Sequence, residues 1–127
     1  MKKISISFIF LFLTLNIYCL SIEKDTIEPL TKYAETIDIN KIFKQKNKKL
    51  IFITTWCSYC KKEIEKIEQT KIENDYIYIF GNYGSDNIKK VSKFLESHPN
   101  LKYVFFDKNN ILKKKFNIKT VPYKLVL

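Results

Sequence analysis

The chain has 127 residues, 46% hydrophobic and 28% charged, a balance that suits one globular domain and leaves no room for a second. Its formal charge of +10 comes from 23 basic residues that are all lysine. Arginine is the side chain preferred for bidentate contacts to phosphate and guanine, so its absence argues against nucleic-acid binding.

Lys2 and Lys3 open the chain, and Ile4 to Leu15 is an uncharged apolar run, the layout of a secretory signal. Cys19 and Ser21 are small enough to precede a cleavage point, so residues 1–21 are assigned to a signal peptide or membrane anchor. Uncleaved, residues 4–22 approach the roughly 20 apolar residues needed to cross a bilayer and would serve as a tether. A lipid on Cys19 is a third reading. Each places the rest of the chain outside the cytoplasm, periplasmic or secreted, where disulfides persist.

Residues 22–37, with Pro29 and no clear periodicity, read as a linker or irregular lead-in, and residues 38–127 as the domain. Asp38 can cap a short helix with Ile39, Ile42 and Phe43 on one face. Leu50 to Ile53 is a continuous apolar run, as expected of a strand covered on both faces. Ser58 to Ile72 reads as a helix because Cys60, Ile64 and Ile67 fall on one stripe. Tyr76 to Phe80 is a strand, and Gly81 and Gly84, the only glycines, mark a turn.

A helix is predicted from Asp86 to Ser97 on the stripe Ile88, Val91 and Leu95, ended by Pro99. Leu101 to Phe106 is a third strand, Ile111 to Asn117 a short helix, and Tyr123 to Leu127 a last strand. Lys113 to Lys115 read as a solvated helix face. Strands alternating with helices imply an α/β layered domain with a largely parallel sheet.

The segment Trp56-Cys57-Ser58-Tyr59-Cys60-Lys61 stands where the buried strand gives way to a helix. Cys57 would then lie at the helix N-terminus, where unpaired N–H groups and the helix dipole stabilise a thiolate. Cys60, one turn later on the apolar face, is expected to be more buried and able to close a disulfide with Cys57. Two other uses of such a pair are an inert disulfide and zinc. Zinc takes four ligands, and beyond the pair the mature chain offers only His98 as a further nitrogen or sulfur donor. Thr54 to Cys57 also has the T-x-x-C spacing of a peroxide-reducing site, but the arginine such sites rely on is absent.

On these residues the chain resembles the thioredoxin superfamily, and most nearly its extracytoplasmic TlpA-like branch of thiol-disulfide reductants. The anchors are Trp56 to Cys60 after a hydrophobic strand, the segment Thr120-Val121-Pro122, and the strand and helix between them over Asp86 to Asp107. The resemblance implies a thioredoxin-like fold, a central mixed sheet flanked by helices, with Cys57 and Cys60 catalytic and Trp56, Val121 and Pro122 binding substrate. It implies a cis Pro122 against the Cys57 sulfur and a Val121 backbone that pairs with an extended substrate.

The implied partners are protein disulfides and a thiol donor that could be a membrane protein, with no cofactor and no metal. Tyr59 stands where many reductants of the branch carry proline and is shared with glutaredoxins and periplasmic disulfide isomerases, so an oxidant or isomerase stays open. So does a non-catalytic or truncated binding domain. The family continues beyond the strand that follows the proline, so the domain is expected to be C-terminally short, with Tyr123 to Leu127 at a sheet edge.

Overall fold

The structure, a computed structural model, describes residues 26–42, 44, 48–70 and 75–127. The signal or tether segment, Phe43, and the last residues of the helix read as far as Ile72 lie outside the described residues. Among the described residues five strands form one sheet: β1 (Ile27–Pro29), β2 (Lys49–Phe52), β3 (Tyr76–Gly81), β4 (Val104–Asp107) and β5 (Tyr123–Val126), in the order β1-β4-β3-β2-β5. β2, β3 and β4 run parallel, while β1 and β5 join the two edges antiparallel. The helices are α1 (Lys32–Glu35), α2 (Ile39–Ile42), α3 (Ser58–Thr70), α4 (Ile88–Glu96) and α5 (Ile111–Lys115).

The uninterrupted apolar runs have a simple cause, since successive side chains of a strand point to opposite faces and both faces here are covered. Leu50 and Phe52 of β2 join Ile77, Ile79 and Phe105 under α2 and α5. Ile51 and Ile53 face the other way and pack with Tyr78, Phe80 and Phe106 against α3 and α4. α3 buries Cys60, Ile64 and Ile67, the predicted stripe, and spans about 20 Å at 1.5 Å per residue. Asn87 caps α4 by accepting from the Lys90 N–H at 2.9 Å.

The segment read as an irregular lead-in carries both β1 and α1. A three-residue strand is too short to show a period, and Pro29, which lacks an N–H, is tolerated because β1 lies at the edge. The third strand begins at Val104 rather than Leu101, although Leu101 is buried beside it. The last helix ends at Lys115, two residues before the predicted Asn117.

β5 lies at the other edge with its side chains largely exposed. Lys124 ties it to α3 through Glu63, Nζ to Oε2 2.7 Å. The hydrogen bond from Lys124 holds the Glu63 carboxyl below its ordinary range, and Glu63 raises Lys124 in return.

Candidate active site

The chain leaves the C-terminal end of β2 at Ile53, and the next four residues carry it into α3. That loop is held from the side. The Thr55 N–H donates to Asp86 Oδ2 at 2.8 Å and its hydroxyl to Asp86 Oδ1. Asp86 is itself 4% exposed, so a buried carboxylate is satisfied by the loop it fixes. The Trp56 indole N–H donates to the Tyr83 carbonyl at 3.2 Å, which leaves the ring 55% exposed.

Gly84 lies against that ring. Its φ is +63°, and a Cβ there would stand 3.2 Å from the indole, so glycine answers both the left-handed backbone and the close approach. Gly81, three residues earlier, passes so close to the Tyr83 ring that a Cβ would meet it at 2.5 Å. The turn read from these two glycines is the segment that carries Tyr83 and leads to Asp86.

Tyr83 is fixed in turn by Asp107, a carboxylate with no exposure. Asp107 accepts from the Tyr83 hydroxyl at 2.7 Å and from the N–H groups of Leu112 at 2.9 Å and Lys113 at 3.0 Å, capping α5 from the end of β4. Burial, followed by the Asp107 charge, pushes the Tyr83 hydroxyl above its ordinary range and keeps it a donor. Asn109 and Asn110, both at φ +57°, make the sharp turn between β4 and α5 that allows this cap.

Cys57 stands immediately before α3 and is 7% exposed, while Cys60, one turn on, has no exposure. Both sulfurs are free thiols. The Cys60 N–H donates to Cys57 Sγ at 3.2 Å, the helix-end contact that favours a negative sulfur. On the opposite side Cys57 Sγ lies 3.8 Å from the Val121 carbonyl oxygen, to which its thiol can donate, and the Val121–Pro122 bond is cis. Burial first, and then the neighbouring Cys57 thiol, push the Cys60 thiol up to about 12. The Thr54 backbone and hydroxyl oppose that rise only in part.

Trp56, Cys57, Cys60, Val121 and Pro122 thus meet at one end of the sheet. Thr54, the first residue of the T-x-x-C spacing, is fully buried. His98 lies apart from this site, stacked on Phe94 at 4.3 Å and 3.9 Å from Glu68. No group of three His, Cys, Asp or Glu among the described residues is placed to hold a metal.

The supports Tyr83, Asp86 and Asp107 were not singled out from the sequence. The two glycines point to the loop, but its partners are 24 and 31 positions away along the chain and no local pattern marks them. Lys113, read as part of a solvated face, is half-buried with its ammonium 5.2 Å from the centre of the Tyr83 ring.

No family model matches the chain, and no curated protein matches it. Among solved structures it is similar to a secreted disulfide oxidoreductase of Mycobacterium tuberculosis that is homologous to E. coli DsbE, with 20% identity and a TM-score of 0.52. That match covers 64% of this chain and 62% of the other, so the chain spans less than two thirds of that protein's length. It is also similar to StoA from Bacillus subtilis, at 25% identity and a TM-score of 0.49 over 65% of this chain and 67% of that one. A third likeness is to the N-terminal domain of PilB from Neisseria gonorrhoeae, at 20% identity and a TM-score of 0.49, covering 78% and 69%. The first likeness establishes the fold.

Proposed function

We propose, taking the thioredoxin-like fold of this chain as the premise, that the protein is a thiol-disulfide oxidoreductase that reduces disulfides of exported proteins through Cys57 and Cys60. The observation that carries this reading is the pair itself. A slightly exposed sulfur at a helix start accepts an N–H, and a fully buried sulfur waits one turn away. A structural disulfide has no need of such asymmetry.

In the first step the Cys57 thiolate attacks one sulfur of the substrate disulfide. A Cys57–substrate disulfide forms, and the other substrate sulfur leaves as a thiolate. Cys60 then gives up its proton to the departed substrate thiolate and attacks Cys57 Sγ, closing the Cys57–Cys60 disulfide and releasing the second substrate sulfur as a thiolate. Two electrons pass to the substrate, and a thiol donor must return them. Trp56 and the Val121–Pro122 segment flank Cys57, and in this reading the Val121 backbone pairs with an extended substrate. The basic, apolar start of the sequence supports an extracytoplasmic site of action, with residues 4–22 as signal or tether. Among the described residues no helix is long and apolar enough to cross a membrane.

The direction of exchange is decided by the reduction potential of the pair. Known thiol-disulfide proteins run from about −270 mV for a reductant to about −120 mV for a strong oxidant whose reduced form is stabilised. On the reductant reading, equilibration with glutathione should place the pair near the reducing end. A value near the oxidising end would reverse the direction. A pair that fails to exchange with glutathione at all would remove the proposed function.

A further inference from the structure

A cleft of about 450 Å³ opens beside Trp56 and extends past the Val121 wall of the reacting sulfur to two lysines that the steps above do not use. Trp56, Tyr83, Gly84, Lys113, Lys119 and Val121 are among the residues that line it. We propose that this cleft recognises an acidic side chain close to the disulfide of the substrate, with Lys113 and Lys119 as the specificity-determining residues. The proposal rests on the exchange reading and adds to it the class of substrate preferred.

Position is the first argument. Val121 belongs both to the cleft and to the wall of the reacting sulfur, its carbonyl oxygen 3.8 Å from Cys57 Sγ. A chain segment that brings a disulfide to Cys57 therefore passes the mouth of the cleft within a residue or two. The second argument is shape. Trp56 cannot collapse into the space, because Gly84 lies against its ring and its N–H is held by the Tyr83 carbonyl. The indole remains as an apolar wall that an incoming side chain can cover.

Charge sets the class of ligand. Among the described residues no carboxylate lines the cleft. The two that brace its walls are buried with their oxygens occupied, Asp86 by Thr55 and Asp107 by Tyr83, Leu112 and Lys113. The charges offered to a ligand are thus the two ammonium groups, beside a low-dielectric ring that strengthens their field. Lysine is a point charge with rotatable donors, suited to a single anionic group, and the anionic group that a polypeptide substrate carries in its own side chains is a carboxylate. The matching ligand is a Glu or Asp flanking the substrate cysteine.

Three peptides that differ only in a Glu, Gln or Lys beside one cysteine, each as a mixed disulfide with a chromogenic aromatic thiol, test this with the full chain. The expected order of kcat/KM is Glu, Gln, Lys. Partly exposed pairs give about a threefold to tenfold span at low salt, shrinking as salt is added. K113E/K119E should reverse the order and K113Q/K119Q should flatten it. K89E/K93E, the same charge change at exposed positions of α4, should preserve it. Equal rates for the three peptides, or an order unmoved in K113E/K119E, would overturn the proposal.

A binding arm separates this from failure of the chemistry. The same peptides with serine in place of cysteine cannot react, and Trp56, the only tryptophan, reports their binding by its emission. Tighter binding of the Glu peptide without any exchange would keep the cleft and remove the oxidoreductase. Exchange without a charge preference would do the opposite.

Discussion

Cys57→Ser is expected to reduce disulfide exchange to the uncatalysed rate, while Cys60→Ser should still attack substrate and then stop as a covalent mixed disulfide. The difference follows from where the two sulfurs lie. Cys57 has 7% exposure, a helix-end N–H at 3.2 Å and the Val121 carbonyl on its other side, so an incoming disulfide reaches it first. Cys60 has no exposure and a thiol pushed up to about 12, which leaves it protonated and inaccessible until Cys57 is already bonded to substrate. Serine at position 60 therefore leaves the first step intact and removes the sulfur one turn away that carries out the second. Mass spectrometry of the protein after incubation with a disulfide peptide reads the result. Located by peptide mapping, a stoichiometric adduct on Cys57 of C60S and none on Cys60 of C57S is expected, and an adduct on Cys60 of C57S would invert the roles.

Asp107→Ala is expected to have the largest effect on stability of any single change near the site. The substitution would leave a buried tyrosine hydroxyl and two backbone N–H groups without an acceptor. At about 1 to 3 kcal/mol for each unsatisfied group, partly relieved by water entering the space, the loss is about 3 to 5 kcal/mol. A domain's whole margin is about 5 to 15 kcal/mol, so this variant should approach the threshold of folding. Asp107→Asn keeps one good acceptor, and Tyr83→Phe removes only one donor, so each should cost about 1 to 2 kcal/mol. Urea unfolding of the full chain checks the ranking. A loss below about 1 kcal/mol in Asp107→Ala would mean that the network is dispensable. Because the Tyr83 carbonyl holds the indole, both Asp107→Ala and Tyr83→Phe should also alter Trp56 emission in the folded state.

The parts of the molecule legible from sequence were those where physics writes a local pattern. Leu50 to Ile53 shows an unbroken apolar run because β2 is covered on both faces, and Cys60, Ile64 and Ile67 repeat on one stripe because α3 buries one side. The thioredoxin-like arrangement, a mixed five-stranded sheet flanked by helices, follows from those elements in that order. β1 was hidden because three residues cannot show a period and Pro29 speaks against a strand anywhere but at an edge. The braces of the site were hidden for another reason. Thr55 reaches Asp86 across 31 positions and Tyr83 reaches Asp107 across 24, and such contacts are made by topology rather than by spacing. Lys113 illustrates the same limit, since only the cap from Asp107 turns one member of a lysine run towards Tyr83.

The central claim is that Cys57 reacts and Cys60 resolves, and competitive alkylation of the reduced full chain tests it most directly. With reagent limiting at neutral pH, peptide mapping should find the label on Cys57 ahead of Cys60, with Cys60 modified only as the pH rises towards its value of about 12 or as the protein unfolds. Label appearing first on Cys60 in the folded protein would contradict the assignment of both cysteines and the mechanism built on it.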